Sequence, residues 1–170
     1  LAGSKNINVT SDLELVNGDL NLGGATLKLP QGDTDQGFSS ADSTSFVANG
    51  FITKQINAGT GGAAQRNFVQ FPFGAAGSNN YRLLDVYFTS DPVDDVFVTV
   101  GHVNSSPNGT VFASAVSDAG VTKYPDFYWT LQSSQSLASS FTFEAHAQAQ
   151  GYSLAADQDI DNVKMIYRAA

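Results

Sequence analysis

Ser45-Phe46-Val47-Ala48-Asn49-Gly50-Phe51-Ile52-Thr53-Lys54, Phe68-Val69-Gln70-Phe71-Pro72-Phe73-Gly74 and Tyr81-Arg82-Leu83-Leu84-Asp85-Val86-Tyr87-Phe88 are three runs rich in aromatic and branched apolar side chains. Such residues fit a pleated, half-buried surface. Glycine-rich loops separate the runs. Asn49-Gly50 reads as a tight turn, because both residues tolerate positive φ. Pro72 has no N–H to give to a ladder, so it marks a strand end or an edge.

Working outward toward the C-terminus, Val96, Val98 and Val100 alternate with Phe97 and Thr99, a strand with apolar residues on both faces. Segments 110–116, 123–132, 140–149 and 162–168 read as further strands. Within 140–149, Phe141, Phe143, Ala145 and Ala147 share one face, and Thr142, Glu144, His146 and Gln148 the other. No segment sustains a helical period. Short strands with turn signals about every 8–12 residues predict an all-β chain, an antiparallel β-sandwich of jelly-roll-like form.

Toward the N-terminus the period of two continues. Ile7 and Val9 flank Asn8, Leu13 and Leu15 flank Glu14, Leu20 and Leu22 flank Asn21, and Leu27 and Leu29 flank Lys28. Asn17-Gly18 is a hairpin signal and Gly23-Gly24 offers a second turn. The pattern fits a meander of short strands or a few solenoid-like rungs. Residues 1–30 are therefore a β-strand lead-in, and 31–170 the sandwich domain.

Composition narrows the setting. The chain has 170 residues, enough for one domain, and no cysteine, so core and ladders alone hold it. Only 14% of residues are charged, and the net charge is −8. Gly, Ser, Thr, Asn and Gln stand where charge is missing, as in secreted β-proteins. An acidic surface argues against nucleic acid and anionic membranes as partners. No apolar run reaches the ~18 residues that membrane insertion as a helix requires. The first residue is Leu1, not Met, which is expected of a processed chain.

The stretch from Ser45 to Lys54 resembles the "S-x-V-x-G-x-V-x-K" run of secreted cell-surface β-sandwich modules, adhesin-like, of Bacteroidota and relatives. Their "F-P-V-G" element is similar to Phe71-Pro72-Phe73-Gly74, and their "Y-R-P-V" strand to Tyr81-Arg82-Leu83-Leu84, with Leu83 where the family has proline. Leu13 through Leu29 resemble the β-rungs that precede such modules. The resemblance covers about residues 13–90 and leaves the second half unmatched. It implies an exported, non-catalytic surface protein and carries over no catalytic residue.

Candidate sites are few. His102 shares a face with Val98 and Val100 near a strand end, and His146 shares one with Glu144 and Gln148. Neither pattern assembles a nucleophile and its base, so no enzyme is expected. Asp91, Asp94 and Asp95 cluster where aspartate commonly bonds its own backbone. No cofactor is expected except Ca²⁺, which takes oxygens from closely spaced aspartates; Asp157, Asp159 and Asp161 are the candidates, with Asp33 and Asp35 a second set. Tyr124, Phe127, Tyr128 and Trp129 cannot all face one core, so a sugar-stacking surface at Tyr124, Tyr128 or Trp129 is one reading.

Two functions follow as expectations. The first is an extracellular structural protein at the cell surface, a subunit of a filament or adhesive fibre. Its copies would join by β-strand addition through the lead-in, with Leu13, Leu15, Leu20 and Leu22 at the contact. The second is a jelly-roll module that binds polysaccharide, with or without structural calcium.

Overall fold

Alternation turns into two five-stranded sheets whose inner faces share one core. The computed structural model describes residues 5–11, 13–29, 38–39, 41–56, 58, 68–88, 90, 92–105, 126–134, 142–148 and 150. The strands are β1 (Asn6–Asn8), β2 (Leu13–Glu14), β3 (Leu20–Asn21), β4 (Thr26–Lys28), β5 (Phe38–Ser39), β6 (Val47–Ala48), β7 (Phe51–Ile56), β8 (Phe68–Gly74), β9 (Tyr81–Phe88), β10 (Val96–Val103), β11 (Tyr128–Ser133) and β12 (Phe143–Ala147). Sheet A has the order β1-β4-β7-β10-β11 and sheet B the order β12-β9-β8-β6-β3. β2 and β5 form a two-stranded ribbon. The all-β sandwich expected from the sequence is the fold observed.

The lead-in is not a meander, and here the expectation is corrected. β1 pairs with β4, β4 with β7, β3 with β6, β6 with β8 and β2 with β5, all in parallel. The chain visits sheet A, the ribbon and sheet B in turn (β1, β2, β3) and repeats the circuit (β4, β5, β6). Each circuit is one coil of a short solenoid, the other arrangement open to the alternating leucines. β7 and β8 then begin the antiparallel half: β10 and β11 extend sheet A, and β9 and β12 extend sheet B.

The turn residues act as corners. Gly18 has φ +87°, Gly23 +57°, Gly24 +88° and Asn49 +53°, as the dipeptides predict. They send the chain to the next face instead of back along the same one. Corners of successive coils stack: the N–H groups of Leu22 and Gly24 donate to the carbonyls of Ala48 and Asn49.

The rows across the sheets explain the core. Ile7, Leu27, Ile52, Val100 and Leu131 lie in register across sheet A on its inner face. Leu20, Val47 and Phe73 form the matching row in sheet B. Leu15, Leu22, Leu27 and Leu29 join one buried cluster with Ile52, Phe71 and Val98. Full burial of each such side chain contributes roughly 1.5–3 kcal/mol. Phe46, Ala48, Tyr81 and Leu83 make a second buried cluster on the outer side of sheet B.

Pro72 lies inside β8, buried between β6 and β9, and is neither a strand end nor an edge residue. Gln148 N–H donates to the Leu83 carbonyl, so Leu83 points its backbone toward β12. The Pro72–Leu83 pair is thus not hydrogen-bonded, and the proline nitrogen faces β6. β6 meets β8 only at Val47–Phe73, so no ladder bond is lost there.

Candidate functional site

The first coil is an unfinished end of the solenoid. Among the described residues no strand lies beyond β1, β2 or β3. Thr26 N–H donates to the Lys5 carbonyl and Val9 N–H to the Lys28 carbonyl, so Lys5, Ile7 and Val9 spend their backbone groups on β4. By alternation, Asn6 and Asn8 aim theirs the other way. In β3, Leu20 and Leu22 donate to Phe46 and Ala48, which leaves Asp19 and Asn21 on the outer side.

Burial along the inner row confirms where the stack stops. Ile7 is 43% exposed, Leu27 1% and Ile52 0%, although all three occupy the same position in successive strands. Leu20 is half-buried whereas Val47 and Phe73 are fully buried. Among the described residues the inner row of sheet A is most open at this end; Leu131 at its other end is half-buried.

The leucines expected at an intermolecular contact are therefore placed within the chain's own fold. Leu15 and Leu22 are buried in the core, and Leu13 and Leu20 pack against it. Their strands are paired within the chain. What the lead-in presents outward is its own edge.

Tyr128 and Trp129 take opposite faces of β11. Trp129 pairs with the inward residue His102, packs against the core and donates its indole N–H to the Arg82 carbonyl at 3.2 Å. Its ring is half-buried there. Tyr128 lies on the outer side, half-buried, opposite Val103. Tyr124, Asp157, Asp159, Asp161, Asp33 and Asp35 lie outside the described residues. Among the described residues no group of three His, Asp or Glu side chains could hold a metal.

The residue that sequence reading missed is Arg82. It follows Phe73 in the inner row of sheet B, so its side chain enters the interior. The guanidinium lies 3.4 Å from the centre of the Phe127 ring, its Nε donates to the Gln150 carbonyl at 2.8 Å, and Nη1 is 3.4 Å from His102 Nε2. Phe73, Phe127 and Trp129 surround the imidazole. Burial, aided by the Arg82 charge, pushes His102 down to about 4. Burial also lowers Arg82. This cluster joins the two sheets. Alternation over Tyr81–Leu84 was the signal for it, since it sets Arg82 on the face of Leu84 and Val86.

The second histidine is elsewhere, on the outer face of sheet B. His146 Nε2 is 3.6 Å from Glu144, and its ring centre is 4.6 Å from that of Tyr87. His146 pairs across the strands with Asp85, whose carboxyl is pushed up by burial, against the opposing effects of the Gln70 hydrogen bond and the His146 charge. The two histidines thus belong to different sites, one inside and one outside.

Comparisons with protein-family models, curated proteins and solved structures found no match. The reading of function rests on the site itself.

Proposed function

We propose that this chain is an extracellular structural module that joins copies of itself by β-strand addition at the first coil. The observation that supports this best is the exposure gradient from Ile7 to Leu27 to Ile52 along one row. A partner strand laid along β1 would extend that row and pair the outward groups of Asn6 and Asn8. The same displacement would extend the ribbon and sheet B, because β1, β2 and β3 all expose their edges in the same direction along the stack. A contact between this end and a different surface of the next copy does not close on itself and gives a linear fibre. The low charge content and the absence of cysteine fit a surface-exposed structural role.

Sedimentation velocity over a range of concentrations, with negative-stain microscopy, tests the proposal. Linear oligomers that grow with concentration are expected. Asn8→Pro removes an outward N–H without touching the bonds to β4 and should leave a monomer with an unchanged unfolding transition. A monodisperse wild-type monomer at all concentrations would overturn the reading.

A further inference from the structure

The outer face of sheet A is a separate surface with its own chemistry. On β7 it carries Phe51, Thr53 and Gln55, on β10 Phe97, Thr99, Gly101 and Val103, and on β11 Tyr128, Thr130 and Gln132. Register sets these side chains side by side: Phe51 with Gly101 and Thr130, Thr53 with Thr99 and Gln132, Gln55 with Phe97, and Val103 with Tyr128. No charged residue stands among the ten. Lys28, exposed on the neighbouring β4 in the same row as Thr53, and Asp95, which accepts from Gln55 at 2.9 Å, flank the ten on the same face.

Two rings are held open on this face. Phe51 is 41% exposed and Phe97 47%, in a chain whose other described phenylalanines outside these two are mostly buried. Phe51 lies over Gly101, where an added Cβ would come within 2.7 Å of the ring. Phe97 stands four residues from Gly101 along β10, a separation of about 13 Å. Between the rings the Thr53 and Thr99 hydroxyls share a hydrogen bond of 2.8 Å; Thr53 is buried, so Thr99, Thr130 and Gln132 are the polar groups of this strip open to a ligand.

We propose that this face binds an uncharged polysaccharide chain. The flat side of a sugar ring presents C–H groups that suit the negative face of a phenyl ring. Its hydroxyls both donate and accept, as do threonine hydroxyls and glutamine amides. Two rings about 13 Å apart, with a hydroxyl-bearing strip between them, match an extended chain of several sugars better than a single one. An uncharged chain suits a patch whose ten residues carry no charge and whose flanking Lys28 and Asp95 are of opposite sign, whereas a charged polymer would give up ionic solvation along most of its length. A protein partner would call for a continuous apolar area, and here the rings are separated by polar residues. The surface lies on the flank of the stack, so it remains accessible whether or not the first coil is occupied.

Affinity electrophoresis through gels containing dextran, xylan, laminarin, mannan or hydroxyethylcellulose, with alginate as the charged comparison, tests this site. Retardation in at least one neutral gel is expected, and Phe97→Ala should weaken it about tenfold, the effect of losing one stacked ring. Gln132→Lys should weaken it too, while Val93→Ala, away from this face, should not. Thermal unfolding of each variant shows that the fold is kept. Absence of retardation in every neutral gel, retardation by alginate alone, or full retardation of a folded Phe97→Ala would overturn the proposal.

Discussion

The guanidinium carbon of Arg82 lies 3.4 Å from the centre of the Phe127 ring, within the cluster that joins the two sheets. Arg82 belongs to β9 of sheet B, and its neighbours His102 and Trp129 belong to β10 and β11 of sheet A. A planar cation can stack on a ring and still donate from its edge, which a lysine ammonium cannot. Arg82→Lys is therefore expected to cost about 2 kcal/mol, the loss of a desolvated cation–π contact together with a charge-assisted bond to the Gln150 carbonyl. Urea denaturation measures the loss. Trp129 is the single tryptophan, so its emission should shift to the red as the packing around it loosens.

His102 makes stability depend on pH. Its imidazole stays neutral in the fold down to about 4, while the unfolded chain takes up the proton near the ordinary value of 6.5. The unfolded state then binds more protons between these values. Stability present above pH 6.5 is lost as the pH falls toward 4, by at most about 3 kcal/mol. Asp85 acts in the opposite sense, because burial raises its carboxyl and the fold takes up that proton first. Urea midpoints of wild type and His102→Gln between pH 7 and 4 isolate the histidine: the variant should show a flatter acid limb.

Gly74 is a steric requirement. An added Cβ would stand 2.4 Å from the Phe46 ring, which is fully buried on the outer side of sheet B. Gly74→Ala should cost roughly 1–3 kcal/mol, as overpacking does. Phe46→Leu should cost a similar amount by leaving a void. The double variant should cost less than the sum, since the smaller side chain gives way to the methyl. A chemical-denaturation cycle over the four proteins reads this coupling.

The exposure gradient of the first coil has an energetic counterpart. Leu27→Ala should cost about 2–5 kcal/mol, because its side chain is fully buried. Ile7→Ala, in the same row, should cost less than half of that in a dilute monomer, since much of its surface is already in water. Equal costs in equilibrium unfolding would show that the first coil is covered even in the monomer.

Much of this was legible in the chain. Alternation set Phe143 and Ala145 on one face of β12 with Glu144 and His146 on the other, and grouped His102 with Val98 and Val100; the structure keeps both groupings. The same rule, applied to β11 and β9, places Tyr128 and Trp129 on opposite faces and Arg82 inward, but it carries no warning of a buried cation. Of Tyr124, Tyr128 and Trp129, the residues considered for sugar stacking, alternation gave no sign that the Trp129 indole packs against the core and donates to the Arg82 carbonyl.

By itself the sequence indicated most of the described strands and turns, which depend on neighbours in the chain; β5 at Phe38–Ser39, within a stretch that reads as a polar loop, was not among them, and the strands read at 110–116 and 162–168 lie outside the described residues. Tertiary structure alone decided what each turn leads to. Gly18 and the Gly23-Gly24 pair would serve a hairpin or a solenoid corner equally well, and positive φ is needed for both. The choice between them is made by distant pairings, Leu20 with Val47 and Leu27 with Ile52, which bury whole rows at once. A period of two fixes the face of a residue, and only the assembled sheets fix its neighbour.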